Sequence, residues 1–361
     1  MICKRAVYLD FRNIEHQTLD FDEGVNLICG YNGQGKTNAL EGIYLMAQGR
    51  SHRTLKDRDF IRFGQNSAEI ILEYSTKRRD HSELKLKFKS DGKKFCRSNG
   101  VPIARMSEFI GNFRAIIFTP EHLSVVKSGP SHRRLFLDSA LSQISVSYVS
   151  DLQNYNRCLA QRNKLLQTAE YDMVGFSDTV GIWSEKLAEY GARISAARAK
   201  YVKELEEVTE VIFNDMTGRR EKLRLAYSEQ RDYEQFLNLF TANIDKELKY
   251  RITMYGVHKD DIGIEINGKS AREFGSQGQQ RSAALAMKLG EGELSKEKSG
   301  EYPVFLLDDI LSELDKKRRE YVIEGISGRQ VIITSCYMNE VGKNAKIFYC
   351  ENGRFFDKND R

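Results

Sequence analysis

Residues 30–37, Gly30-Tyr31-Asn32-Gly33-Gln34-Gly35-Lys36-Thr37, fit the spacing G-x-x-x-x-G-K-[ST]. No other stretch limits the fold so strongly. Glycines let the backbone curl around an anion, so that successive N–H groups point at phosphate. The lysine brings a compact positive charge to the β- and γ-phosphates, and the threonine offers a hydroxyl to Mg²⁺. A helix starting at that point adds its positive end. The pattern needs a buried strand before it and a helix after it. The apolar run at residues 25–29 supplies the first, and residues 38–46, with Leu40, Ile43 and Tyr44 apolar, supply the second. These flanks argue against a chance glycine-rich turn. They predict an ATP site lined by residues 30–38, Asn38 included, with Lys36 on phosphate and Thr37 on Mg²⁺.

Such a site needs a sheet, and 361 residues can build one large domain or two smaller ones. A net charge of +5 fits a nucleic-acid partner or an ordinary mixed-charge surface. Six cysteines without a C-x-x-C pair make a metal site or disulfide framework unexpected. No run approaches the ~20 apolar residues of a membrane span, and residues 1–5 lack the apolar core of a signal peptide. The expected compartment is the cytoplasm, with no membrane partner.

Residues 2–21 read as two strands, followed by strands at 67–74 and 83–89. In the last, Leu84, Leu86 and Phe88 alternate with Lys85, Lys87 and Lys89. That is a solubilised edge strand or a DNA-backbone surface. The basic run Gly49-Arg50-Ser51-His52-Arg53, with Lys56 behind it, is an exposed loop or a phosphate-contacting one. A strand at 114–118 leads to helix starts at Pro120 and Pro130, the second a short helix carrying Arg133 and Arg134. From about residue 145, apolar residues recur at helical spacing, break near 171–177, and resume from Val180 to Val208 in steps of three and four. This predicts a helical hairpin packing on itself, with a shorter helix at 233–250. After it the pattern returns to α/β, with strands at 262–266, 303–307, 331–334 and a terminal hairpin.

Three late segments complete a nucleotide site. Val304-Phe305-Leu306-Leu307-Asp308-Asp309 has the Walker B form, a buried strand delivering a carboxylate to Mg²⁺. Asp308 is the metal-side acid, and Asp309 is placed to orient or deprotonate water. Ser276-Gln277-Gly278-Gln279-Gln280-Arg281 looks like the signature of ATP-binding-cassette (ABC) ATPases. There Ser276, Gly278 and Gln279 would gather a hydroxyl, backbone N–H groups and a helix start on one anion. Ser312-Glu313-Leu314-Asp315 stands where a D-loop would. Lys36 and Asp308 are 272 residues apart, so a helical stretch separates the two halves of one sheet. The split resembles SMC-type ATPases with a short stub for the coiled coil. The expected fold is α/β: an ABC/SMC-type ATPase head from residues 1–140 and 250–361, with a helical insertion at 141–249.

The whole chain resembles the RecF family. The resemblance rests on Phe11-Arg12-Asn13, Gly49-Arg50-Ser51-His52-Arg53-Thr54, Phe118-Thr119-Pro120-Glu121-His122-Leu123, His258-Lys259-Asp260-Asp261, Ser276–Arg281 and Leu307-Asp308-Asp309. It implies an ATP-dependent homodimer, in which the P-loop of one copy meets Ser276 and Gly278 of the other. It also implies binding of double-stranded DNA, a partner RecR, and action with RecO in loading RecA at single-strand gaps. Candidate DNA-backbone contacts are Arg50, Arg53, Lys56, Lys85, Lys87, Arg133 and Arg134. Asp309 stands where ABC ATPases generally carry glutamate; it is one methylene shorter, so slow hydrolysis is expected. The region that carries a histidine in ABC proteins holds Thr334-Ser335-Cys336, whose hydroxyls could reach the γ-phosphate. Residues 118–122 stand in for a Q-loop. A transporter subunit would need a shorter cassette, and a DNA-cutting ATPase more chain after Asp309. An ATP-binding structural clamp with negligible hydrolysis remains compatible with the same residues.

Overall fold

The computed structural model describes residues 1–54, 56–337 and 345–358. The chain opens with the antiparallel strands β1 (Ile2–Phe11) and β2 (Ile14–Asp20), then β3 (Val25–Cys29) and α1 (Lys36–Gln48). Next come β4 (Ser67–Thr76), β5 (Arg79–Lys89), β6 (Lys94–Ser98), β7 (Val101–Ile103) and α2 (Met106–Phe109). β8 (Ala115–Phe118), α3 (Pro120–Leu123) and α4 (Pro130–Ile144) lead to the long helices α5 (Val146–Thr168) and α6 (Met173–Thr217). β9 (Leu223–Tyr227), α7 (Tyr233–Ala242), α8 (Ile244–Tyr250), β10 (Ile262–Ile266), β11 (Lys269–Ser270) and α9 (Ala271–Phe274) follow. The chain closes with α10 (Gln277–Ser299), β12 (Val304–Asp308), α11 (Lys316–Gly325), β13 (Val331–Ser335), β14 (Lys346–Glu351) and β15 (Arg354–Asp357).

One six-stranded sheet, ordered β15-β14-β3-β13-β12-β8, joins strands from both ends of the chain. Its five strands from β14 to β8 run parallel. Parallel strands are covered on both faces, and side chains alternate between faces. Leu27, Ile116, Phe305, Leu307 and Ile333 therefore enter one core with α4, α6 and α10. Ile28, Ile117, Leu306 and Ile332 enter the other, with α1 and the antiparallel sheet β2-β1-β4-β5-β6-β7. α1, which carries the end of the P-loop, lies between the two sheets.

β5 is not an edge strand. β4 and β6 flank it, and Lys85 and Lys87 both reach Glu69 on β4, at 2.5 and 3.4 Å. α4 is longer than the short helix expected from Pro130, because Phe136, Leu137, Ala140 and Leu141 bury one face. The helical hairpin expected from the sequence forms, but it packs on itself only in part. α6 runs for 45 residues, about 68 Å, and only its first part pairs with α5. Farther on, Leu205 and Thr209 lie against α10, where a Cβ on Gly290 would stand 2.7 Å from Thr209 Cγ2. The helix expected at 233–250 breaks at Asn243 into α7 and α8. A fully buried ion pair, Arg162 with Glu247 at 2.7 Å, ties α5 to α8. β9 lies outside the strands expected from the sequence, although Leu223 and Leu225 alternate with Arg224 and Ala226, and it pairs with β10 in a small three-stranded sheet.

Candidate nucleotide site

β3 ends at Cys29, and the chain curls through residues 30–35 into α1. Gly35 sits at φ +117°, and a Cβ there would lie 2.7 Å from Asn13 Oδ1, so the last step before Lys36 requires glycine. Lys36 is buried. Its ammonium donates to the carbonyls of Gly30 (2.7 Å) and Tyr31 (3.2 Å) and reaches Cys336 Sγ at 3.5 Å. Cys336 in turn contacts Asn32 Oδ1 at 3.0 Å. Tyr31 is exposed at the loop's crest.

An outer brace holds the loop. Gln34 O accepts from Asn13 Nδ2 (3.0 Å) and from the N–H of Gly353 (2.7 Å), and Gln34 Oε1 accepts from the N–H of Asn352 (2.6 Å). Asn38 donates to Asn13 and accepts from Arg53, each at 2.8 Å. The side chains of Gln34 and Asn38 are thus committed to shaping the loop. Behind them Glu41, fully buried, takes Arg12 at 2.9 Å, Arg53 at 3.1 Å and the Ser51 hydroxyl. Burial pulls the Glu41 pKa up, but the Arg12 and Ser51 hydrogen bonds and both guanidinium charges outweigh it, and the net shift is downward.

The register β12–β13 sets Asp308 opposite Thr334. Thr37 and Thr334 hydroxyls both donate to Asp308 Oδ1, at 2.9 and 2.7 Å, and Thr334 Oγ1 accepts the N–H of Asp309 at 3.0 Å. Of the two hydroxyls expected to reach the γ-phosphate, Thr334 and Ser335, that of Thr334 is turned to Asp308 here. Its hydroxyl is buried and spent on clamping the two acids. Burial raises the Asp308 pKa, the Asp309 charge adds to the rise, and the two threonine bonds oppose it. Asp309 sits half-buried at φ +52°, a left-handed conformation that a non-glycine residue adopts at some cost. The P-loop cradle, the Lys36 ammonium and the hard-oxygen pair Thr37–Asp308 fit a triphosphate with Mg²⁺.

Ser276 caps α10. Its Oγ accepts the Gln279 N–H at 3.2 Å, and Gln279 Oε1 accepts the Ser276 N–H at 2.8 Å, while Gln279 Nε2 donates to Glu221. Both polar ends of the Gln279 side chain are engaged, whereas Ser276 and Gln277 are exposed. Two arginines that sequence reasoning missed fasten this cap to residues 312–315. Arg281 donates to Glu313 O at 2.7 Å. Arg318, paired with Asp315, donates to Gly278 O at 3.0 Å and Ser282 Oγ at 2.8 Å. Among the described residues no hydrogen bond or ion pair joins residues 276–279 to residues 30–38.

Other candidates separate. Residues 118–122 form a capping box in which Thr119 meets His122 Nδ1 at 3.0 Å. Arg133 is buried and grips Asp261 with two bonds, at 2.6 and 2.8 Å, which corrects its reading as a DNA-backbone contact. Arg134 donates to Asp260 O at 2.7 Å. Lys56 is exposed. No helix among the described residues is long and apolar enough to cross a membrane.

Residues 2–354 match the family model described as RecF/RecN/SMC N terminal domain. The DNA replication and repair protein RecF of Acetivibrio thermocellus is 37% identical over 95% of both chains. That of Lachnospira eligens is 39% identical over 99% of this chain and 100% of its own. A solved structure described as the recombination mediator protein RecF-ATP in the RecFOR pathway is 36% identical, with a TM-score of 0.92, covering 98% of this chain and 97% of that one. An Smc head domain of Pyrococcus furiosus, 15% identical with a TM-score of 0.57 over 98% of this chain and 95% of that one, shares the fold. By sequence and by fold, the chain belongs to the RecF family of ABC/SMC-type ATPases.

Proposed function

We propose that this chain is an ATP-switched DNA-binding protein of recombinational repair and replication restart, acting in the cytoplasm. Residues 30–38 cradle the triphosphate and Lys36 neutralises its terminal charge. Thr37 and Asp308 hold Mg²⁺, which when bound supplies charge neutralisation to the β- and γ-phosphates. Asp309 orients the water that adds to the γ-phosphorus. The bond to the β–γ bridging oxygen breaks, and ADP keeps that oxygen. Ser276 and the N–H groups at Gly278, on a second copy, complete the γ-phosphate shell. ATP thereby joins two copies around duplex DNA, and slow hydrolysis releases them. RecR is the direct partner, with RecO and RecA downstream at single-strand gaps.

The observation that supports a shared site is the separation of its halves. The α10 cap exposes Ser276 and Gln277, is held by Arg281 and Arg318, and among the described residues makes no hydrogen bond or ion pair to the P-loop of its own chain. The RecF-ATP relative supports the choice of nucleotide. Light scattering of the full chain with and without Mg-ATP tests the reading. The expected result is a dimer with ATP and a monomer without it, with Lys36→Arg monomeric in both. A monomer under all conditions would contradict it.

A further inference from the structure

A cavity of about 410 Å³ lies beside the nucleotide site, walled by the loop after α1 and by α3, α4 and α10. Its charged lining is three cations, Arg50, Arg53 and Lys288, against one carboxylate, Glu121. Arg53 and Lys288 have carboxylate partners, Glu41 at 3.1 Å and Glu291 at 2.8 Å. Arg50 has none among the described residues; its guanidinium makes a single long contact, 3.5 Å to Ser139 Oγ. His52 Nδ1 is buried without a hydrogen-bond partner. Burial pushes this imidazole down to about 4, so it adds no positive charge to the cavity wall at neutral pH.

A partly desolvated guanidinium without a counterion and an orphaned buried ring nitrogen both cost stability. A tetrahedral oxyanion in the cavity answers the first, taking a charge-assisted hydrogen bond from Arg50. The volume is that of an enclosed small-ligand pocket. Location narrows the ligand further. Arg53, in the same loop, holds Asn38 at 2.8 Å, next to Thr37, and its charge acts on Asp308. One loop therefore forms a wall of both the cavity and the nucleotide site.

We propose that this cavity binds a phosphate oxyanion at Arg50, and that in turnover its ligand is the inorganic phosphate cut from ATP. The source of the phosphate rests on the ATP reading above; the cavity itself does not. A DNA-backbone phosphate would satisfy the same donors, so the test separates the two.

Equilibrium dialysis of the full chain against radiolabelled orthophosphate, without nucleotide, reads the site directly. Saturable binding is expected, weakened at least about tenfold in Arg50→Gln. In the same variant, affinity for labelled ATP should stay within about twofold, which also shows that it folds. Lys36→Ala should lose ATP and keep phosphate. Unchanged phosphate binding in Arg50→Gln would overturn the proposal, as would its loss in Lys36→Ala, which would seat the phosphate in the P-loop. Displacement of phosphate by a short duplex would also overturn it, assigning the cavity to the DNA backbone. If the wild type fails to bind ATP yet binds phosphate through Arg50, the ATP reading fails and the cavity stands.

Discussion

Asp308 carries a charge that its surroundings resist. Burial raises its pKa although two threonine hydroxyls donate to it. A carboxylate with a raised folded-state pKa favours the fold most below its unfolded-state pKa, and that contribution is lost as pH rises through the folded value. Asp308→Asn should therefore melt at or above the wild type in nucleotide-free buffer at pH 7, with the difference growing from about pH 4 upward. The same variant should lose Mg²⁺-dependent ATP binding. Glu41 behaves in the opposite sense. Its pKa is lowered, so its ion pairs with Arg12 and Arg53 stabilise the fold above the ordinary glutamate range and fade as pH falls through it. Glu41→Gln should cost about 3 kcal/mol at pH 7, and chemical unfolding should show the gap closing below about pH 4. The meeting of Thr37 with Asp308 was foreseeable in the sequence because each stands at a fixed place in its own motif. The partners of Glu41 and Thr334 were not, since they come from distant segments. Arg133 was misread for the same reason: Asp261, 128 positions on, neutralises it.

At the scale of elements, the P-loop depends on a hairpin at the far end of the chain. The β14–β15 turn gives the N–H groups of Asn352 and Gly353 to Gln34. Gly353 lies at φ +78°, and a Cβ there would stand 2.2 Å from Asn13 O. Gly353→Ala should push the hairpin off the brace, costing roughly 1–3 kcal/mol. It should weaken ATP binding although no atom at 353 belongs to the predicted phosphate cradle; calorimetric titration with ATP checks this. The hairpin itself was readable from alternation and the Asn-Gly turn. What it leans on was not, because a turn sequence specifies its own geometry and nothing about its neighbour. β5 gives the same lesson. Alternating lysines describe one exposed face, yet edge or interior is decided by β6, which pairs alongside it.

At the scale of the whole molecule, the candidate nucleotide residues fall on two separate surfaces. The P-loop, Asp308 and Asp309 cluster at the ends of the parallel strands, while Arg281 and Arg318 lock the α10 cap to residues 312–315. α6 packs on α10, so the helical insertion and the cap share one core. A helical hairpin that packed only on itself would have been isolated from the cap. If one copy's P-loop works with another copy's cap, two variants broken in different halves complement each other on mixing. Lys36→Arg and Ser276→Arg should each stay monomeric with Mg-ATP. Mixed in equal amounts, they should form a heterodimer on ATP addition, because one of its two composite sites is intact, and light scattering would show dimer only in the mixture. A mixture that stays monomeric while the wild type dimerises, or either single variant dimerising alone, would contradict the shared site.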